Sequence, residues 1–318
     1  MAARPGPDGS RLPYFVTMLP EPALVEPPAL EVIRGRVDRV LESFLLARRD
    51  DMAALAAEAA DLVDEIRRLV AAGGKRIRPA FCYWGHRAAG GPDGEPILRA
   101  AAALELFHTF ALIHDDVMDE SDTRRGVPSA HARFAEAHSA GAPRGSADAA
   151  RYGRSAAVLA GDLAAVLADD LLLGSGFPPE RLLPAHRRYI RMQTEVAAGQ
   201  FLDVGGAGSV DEAASRRVAS LKTGAYTVEG PLHIGALLAG GSPDVLSALS
   251  RFAEPLGRAF QHRDDVLDHG EGTVPGATAA QVNRLIGEAC AALDDPVLVS
   301  EGAVALRSLA LALVLPEG

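Results

Sequence analysis

The sequence predicts an all-α chain of about ten or more helices, and three observations carry that expectation. Hydrophobic residues make up 48% of the 318 positions but aromatic residues only 5%, and β-branched residues are thin beside alanine and leucine, a composition that favours helix. Apolar residues recur at helical spacing in one segment after another. No stretch shows the strict alternation of a half-buried strand, and no internal repeat interrupts the series.

The elements follow in order. Residues 1–28 hold seven of the 21 prolines and read as an irregular arm, with 29–318 as a single helical domain. From Glu31, Val32, Val37, Val40, Leu41 and Phe44 mark one amphipathic helix. Leu55, Leu62, Ile66 and Leu69 mark a second, stopped by Gly73-Gly74. A third starts near Arg78-Pro79, where proline is tolerated in the first turn, and runs to Gly90-Gly91. Residues 97–119 are apolar around much of their circumference, which makes this the central helix. Residues 139–153, rich in Gly, Ala, Ser and charge, read as a mobile connection. Helices follow over 155–173, 180–203 and 211–240, the last interrupted at Gly230-Pro231. Another runs from Ser242-Pro243 through Asp268, and after a Gly/Pro turn the terminal helices fall near 278–294 and 301–314.

Charge and cysteine usage exclude several classes of function. The 32 basic and 42 acidic residues give a net charge of −10, which argues against broad nucleic-acid binding and leaves room for a local basic pocket. Two cysteines, Cys82 and Cys290, are too few for a disulfide scaffold and fit a reduced, cytoplasmic setting. The N-terminus lacks the pattern of an export signal, and no run approaches 18 consecutive apolar residues, so no membrane span is expected.

Two acidic clusters carry the chemistry. Asp115, Asp116 and Asp119 form DDxxD at the end of the central helix, a spacing that puts carboxylates on one face. Asp264, Asp265 and Asp268 repeat it after the apolar stretch holding Phe252, Leu256, Ala259 and Phe260. A solvated helix end explains one such cluster; two in the same spacing point to a hard cation. Oxygen-only ligands suit magnesium, which bridges carboxylates to substrate phosphates, so two facing clusters can hold a diphosphate and draw charge from a breaking carbon–oxygen bond. Gly73-Gly74-Lys75-Arg76-Ile77-Arg78-Pro79 presents three cations before a helix, and Arg124-Arg125-Gly126 adds two beyond the first acidic cluster. A lone basic turn is usually surface; two beside acidic clusters favour a second diphosphate subsite.

At these residues the chain resembles the trans-isoprenyl diphosphate synthases, also called polyprenyl synthetases. GGKRIRP (73–79), ELFHTFALIHDDVMD (105–119), DTRRG (122–126), AGDL (160–163), GQFLD (199–203), KTGAYTVEGPL (222–232) and FQHRDDVLD (260–268) occur in family order, covering roughly 31–269. The resemblance implies a helical bundle around a central prenyl-binding cavity. It also implies condensation of an allylic diphosphate with isopentenyl diphosphate to a trans product five carbons longer.

The resemblance places roles residue by residue. Asp115, Asp119 and Asp264 would be the principal ligands of about three magnesium ions, with Asp116, Asp265 and Asp268 in support. Arg124, Lys222 and Gln261 would face the allylic diphosphate, with Phe260 also at the substrate. Lys75, Arg78, His108 and Arg125 would hold isopentenyl diphosphate. Thr223, Gln200 and Asp203 would orient the reacting centre, and His114 the acidic turn. Phe107, Phe110 and Ala111, one or two turns before Asp115, would limit product length, with Phe110 as floor and geranylgeranyl favoured over farnesyl diphosphate. Ordinary core packing is the plainer reading of those aromatic residues on spacing alone.

One departure stands out. No lysine follows Lys222, and HGEGTVPG (269–276) runs almost directly into the terminal helices where family members carry lysine-containing loops. Arg263 or Arg284 can substitute, the product or rate can differ, or the chain can be a subunit of reduced activity that needs a heteromeric partner. A homodimer is the family habit. A terpene cyclase is a further alternative, opposed by the two basic turns and by the lack of an Asn/Ser/Glu metal motif.

Overall fold

The computed structural model describes residues 28–139, 147–206, 226–269 and 278–314. The arm expected before residue 28 lies outside them, as do Lys222 and Thr223; the side chains of Asp265 and Asp268 are likewise outside the description. Eleven α-helices, a 3-10 turn at Ala57–Ala59 and one short hairpin are the regular elements of the described residues, so the fold is all-α. They are α1 (Pro28–Leu55), α2 (Ala60–Ala71), α3 (Ile77–Ala88), α4 (Glu95–Met118), β1 (Thr123–Arg124), β2 (Val127–Pro128), α5 (Ala130–His138), α6 (Ala147–Leu173), α7 (Pro179–Val204), α8 (Gly230–Ala239), α9 (Pro243–His269), α10 (Ala279–Ala292) and α11 (Ser300–Val314).

The 97–119 segment is central, as its apolar circumference predicts. Helix α4 packs against α1, α2, α3, α5, α6 and α8, and buries Ile97, Leu98, Leu104, Leu106, Phe107 and Ile113. Each such side chain contributes roughly 1.5–3 kcal/mol relative to exposure. Ala100 to Ala103 are also fully covered; their small side chains let the neighbouring helices pack closely. Helix α4 is long and apolar enough to cross a membrane by length and composition, yet 67% of its most apolar window is buried inside the bundle.

Two large apolar clusters form most of the interior, and a small third one of Phe134, Ala156 and Ala160 joins α5 to α6. Of the two large ones, one draws on α1, α2, α4, α6 and α7, the other on α9, α10 and α11; α3 and α8 contribute to both, and Trp84 packs against each. The crossing of α3 over α8 depends on glycine. A Cβ at Gly85 would lie 2.6 Å from the Leu232 carbonyl oxygen, and one at Gly235 would lie 1.9 Å from that of Cys82. Backbone therefore meets backbone, which carries the chain just before α8 against the start of α3.

Two local expectations are corrected. Helix α5 was not foreseen: Ala130 and Phe134 are its only buried residues, too few to print a period. Helix α6 begins at Ala147, inside the stretch read as a mobile connection. Its small residues are packing residues, since a Cβ on Gly153 would sit 2.3 Å from the His131 carbonyl oxygen of α5. Gly230-Pro231 opens α8 directly after a π-helical turn at 226–229, where proline's missing N–H is harmless in a first turn; residues 211–225 of the helix expected over 211–240 lie outside the described residues.

Candidate active site

The first acidic motif ends α4. The backbone N–H of Asp119 donates to the Asp115 carbonyl at 2.8 Å, so both residues stand on the last turn of the helix. Asp115 is partly exposed and Asp119 exposed, whereas Asp116 turns inward and is 1% exposed. Arg124 answers that buried carboxylate, its Nε donating to Asp116 Oδ1 at 2.9 Å while Nη2 lies 3.7 Å from Asp115 Oδ2. The Asp116 hydrogen bond raises the Arg124 pKa most, and Asp115 and Asp119 add to it.

Arg124 and Arg125 owe their directions to a hairpin that strand periodicity did not reveal. Thr123 pairs with Pro128 and Arg124 with Val127 in antiparallel register. The loop is the two residues Arg125-Gly126, both left-handed at φ 52° and 76°, the conformation of a type I′ turn, which glycine adopts without strain. Arg125 then donates to the Gly73 carbonyl, so the two basic turns meet.

Of the three cations in GGKRIRP, Arg76 is corrected to a structural role. Its side chain is 3% exposed, donating at 2.7 Å to Asp38, to Glu105 and to the Val70 carbonyl. Burial works against its charge, but Glu105 and Asp38 outweigh that and raise its pKa. Lys75 stays beside it at the turn. Arg78 Nη2 donates to Thr227 Oγ1 at 2.9 Å, and its guanidinium stacks 4.1 Å from the centre of the Tyr226 ring. His108 Nδ1 is 2.9 Å from the Tyr226 hydroxyl. Burial, then Arg78, Arg125, Arg124 and Arg76, push the His108 pKa well below its ordinary value. Burial and the neighbouring Arg76, Arg124 and Arg78 also depress Arg125, despite Glu105. Such a crowd of guanidiniums around a neutral imidazole favours a polyanion.

Gln200, near the C-terminal end of α7, donates from Nε2 to Asp115 Oδ1 at 3.0 Å. Asp203 stands one turn further on, exposed. In the second motif Arg263 donates to Asp264 Oδ1 from Nε at 3.0 Å and Nη2 at 2.6 Å, binds the Leu313 carbonyl of α11, and lies 4.7 Å from the Phe260 ring centre. Gln261 is partly buried in the same stretch of α9. Arg284, by contrast, is exposed on α10 and paired with Glu288.

His114 Nε2 lies 3.1 Å from the Val158 carbonyl of α6, which can only accept, so the ring donates there. Phe107 is 1% exposed and packs edge-on against Tyr189 and Tyr226 at 5.6 and 5.7 Å. Phe110 and Ala111 are partly exposed, with Phe110 against His114 at 4.8 Å. Tyr226 and Thr227 are site residues that spacing missed. They lie within the KTGAYTVEGPL segment, but only the α3–α8 crossing brings them to Arg78.

The residues suit magnesium in chemistry, not as a preformed cage. Among the described residues no three His, Cys, Asp or Glu side chains cluster as a metal site. Asp115 and Asp119 offer two hard carboxylates one turn apart, and magnesium commonly completes its octahedron with water and phosphate oxygens. A groove of about 320 Å³ lies at the other end of α4, where Arg48 and Arg99 are already paired with Asp170 and Glu95.

Comparison with known proteins places the chain in a family. The polyprenyl synthetase family model matches residues 60–273. The chain is 36% identical over 236 residues to the geranylgeranyl diphosphate synthase of Methanosarcina mazei, covering 74% of this chain and 64% of that protein. It is 33% identical over 201 residues to the short chain isoprenyl diphosphate synthase of Methanothermobacter thermautotrophicus, covering 63% and 56%. These matches span less than two thirds of those curated relatives. The crystal structure of geranylgeranyl pyrophosphate synthase from Corynebacterium glutamicum, complexed with isoprenyl diphosphate and magnesium, superposes with a TM-score of 0.78 at 32% identity, over 91% of this chain and 98% of that one. The chain belongs to the polyprenyl synthetase family.

Proposed function

We propose that the protein is a magnesium-dependent trans-prenyltransferase. It joins an allylic diphosphate head to tail with isopentenyl diphosphate and releases geranylgeranyl or farnesyl diphosphate. The observation that carries this reading is the juxtaposition of the Asp115/Asp119 face, steadied by Gln200 and Arg124, with the Arg78–His108–Arg125 group.

In this reading Asp115, Asp119 and Asp264 would hold about three magnesium ions, which would supply positive charge for a departing pyrophosphate. Asp116 aims Arg124 at the allylic diphosphate, beside Lys222, Thr223 and Gln261. Lys75, Arg78, Arg125 and His108 fix isopentenyl diphosphate so that its alkene meets the electron-poor carbon, which is where most of the rate is gained. Asp265 and Asp268 support the second metal set, Asp203 the reacting centre. The apolar side chains beneath Asp115, Phe110 among them, keep water from the cation.

We read 29–318 as one unit, since α3 and α8 serve both large apolar clusters, and we place it in the cytoplasm, its two cysteines being free thiols. A homodimer is supported by two exposed apolar stripes. Tyr152, Leu159, Val166 and Leu173 recur every seven residues on α6, and on α7 Leu183 and Ile190 are seven apart with Val204 fourteen further on.

The test is product analysis with magnesium, isopentenyl diphosphate and dimethylallyl, geranyl or farnesyl diphosphate as starter. A C20 or C15 product is expected; folded protein that forms none from any starter refutes the reading. The absence of lysine after Lys222 favours one second reading, a subunit of a heteromeric synthase. Product formed only after a second synthase chain is added would support that instead.

A further inference from the structure

Tyr226 is 5% exposed and touches two members of the basic subsite at once. Its hydroxyl meets His108 Nδ1 at 2.9 Å, while its ring lies under the Arg78 guanidinium at 4.1 Å and against Phe107 at 5.7 Å. Thr227 takes an Arg78 hydrogen bond at 2.9 Å. The turn bearing both is anchored at its far end, where Glu229 accepts from Ser250 Oγ at 2.9 Å and lies 3.7 Å from Arg188. The placement of Tyr226 is therefore built from α7 and α9 as well as from the subsite itself.

A phenol and an imidazole can share a hydrogen bond in either sense, and the surroundings choose one. His108 sits among four arginines and is neutral at neutral pH, so it has one N–H and one lone pair. Among the described residues His108 Nδ1 is the partner that the Tyr226 hydroxyl meets, a contact whose sense depends on the tautomer. A buried phenol whose proton finds no acceptor bears its full desolvation penalty, so the lone pair belongs on Nδ1 and the proton on Nε2.

Resting on the function proposed above, we propose that Tyr226 is a positioning residue for the isopentenyl diphosphate subsite. Its O–H donates to His108 Nδ1 and fixes the Nε2–H tautomer, leaving the imidazole with one neutral donor for a diphosphate oxygen, while its ring holds the face of Arg78. A neutral donor adds a hydrogen bond to the anion without a fifth positive charge among the arginines.

Tyr226→Phe removes the hydroxyl and keeps the ring contacts to Arg78 and Phe107. The KM for isopentenyl diphosphate should rise roughly 3- to 10-fold, with kcat and the allylic KM within about twofold, the size of one hydrogen bond. In ligand-free protein carrying ¹⁵N-histidine, His108 signals, assigned by their loss in His108→Gln, should show Nε2–H in the wild type and mixed tautomers in Tyr226→Phe. A wild-type ring protonated on Nδ1 or on both nitrogens overturns the proposal, as does an unchanged KM in an active Tyr226→Phe enzyme. If Tyr226→Phe is less stable, the His108→Gln background decides: glutamine offers a donor near the Nε2 position with no tautomer to fix, so adding Tyr226→Phe should leave that KM unchanged. A further rise overturns the proposal. The tautomer is read without substrate, so a wild type that makes no prenyl product refutes the proposed function while the spectra still decide this inference.

Discussion

Arg76→Met tests whether the middle cation of GGKRIRP is part of the frame. The side chain is 3% exposed and its partner Glu105 4%, so methionine leaves a carboxylate buried without its counter-charge. Breaking such a pair costs about 3–5 kcal/mol. The second partner, Asp38, is 40% exposed and adds only about 0–1 kcal/mol. Against a total stability of about 5–15 kcal/mol the loss is large, and the melting temperature of a chain this size should fall by roughly 4–9 °C. Thermal and urea unfolding followed by circular dichroism measure it. Arg76→Met with Glu105→Leu should recover most of the loss, because the orphaned charge goes too. A single variant within 1 kcal/mol of the wild type, on the scale of ordinary surface changes, or a double variant no more stable than the single, would refute the reasoning.

The remaining expectations concern catalysis, product length and pH. Gln200→Ala removes the 3.0 Å bond that orients Asp115; activity as a function of magnesium should show an affinity weaker by roughly 10-fold or more, and an unchanged magnesium curve would detach Gln200 from metal binding. Phe110→Ala should lengthen the product with a modest stability change, since the ring is partly exposed. Phe107→Ala should instead destabilise by about 3–5 kcal/mol, because that ring is core; chain-length analysis and melting curves separate the two. Burial lowers the pKa of His86, His108 and His233 below 6.5 in the folded state. The unfolded chain therefore binds protons first as pH falls below 6.5, and stability present above that pH is lost, by at most about 4 kcal/mol per pH unit when all three titrate together. Melting temperatures that stay flat from pH 7.5 to 5.5 would count against those three environments.

Much of the fold and site was legible because the signals are local. The period of 97–119 marks a helix apolar on most sides, which only a central position can bury, and DDxxD spacing puts Asp115 and Asp119 on one turn whatever surrounds them. Helix α5 was illegible because its burial against α6 depends on Gly153, and a glycine allowing close approach looks in sequence like one loosening a loop. The basic turn hid a division of labour in the same way. Lys75, Arg76 and Arg78 are alike in charge, and nothing near them says which one Glu105 will claim.

By itself, the sequence determined the helical class, the acidic and basic motifs, and their order, since composition, periodicity and spacing act over a few residues. Tertiary structure decided which side chains meet. It turned Asp116 inward to Arg124 and sank Arg76 between Asp38 and Glu105. It also brought Tyr226 onto Arg78 and His108 across the glycine crossing of α3 and α8. Contacts between residues far apart in the chain depend on how helices cross, and a crossing is set by the packing of whole faces, which no single segment encodes.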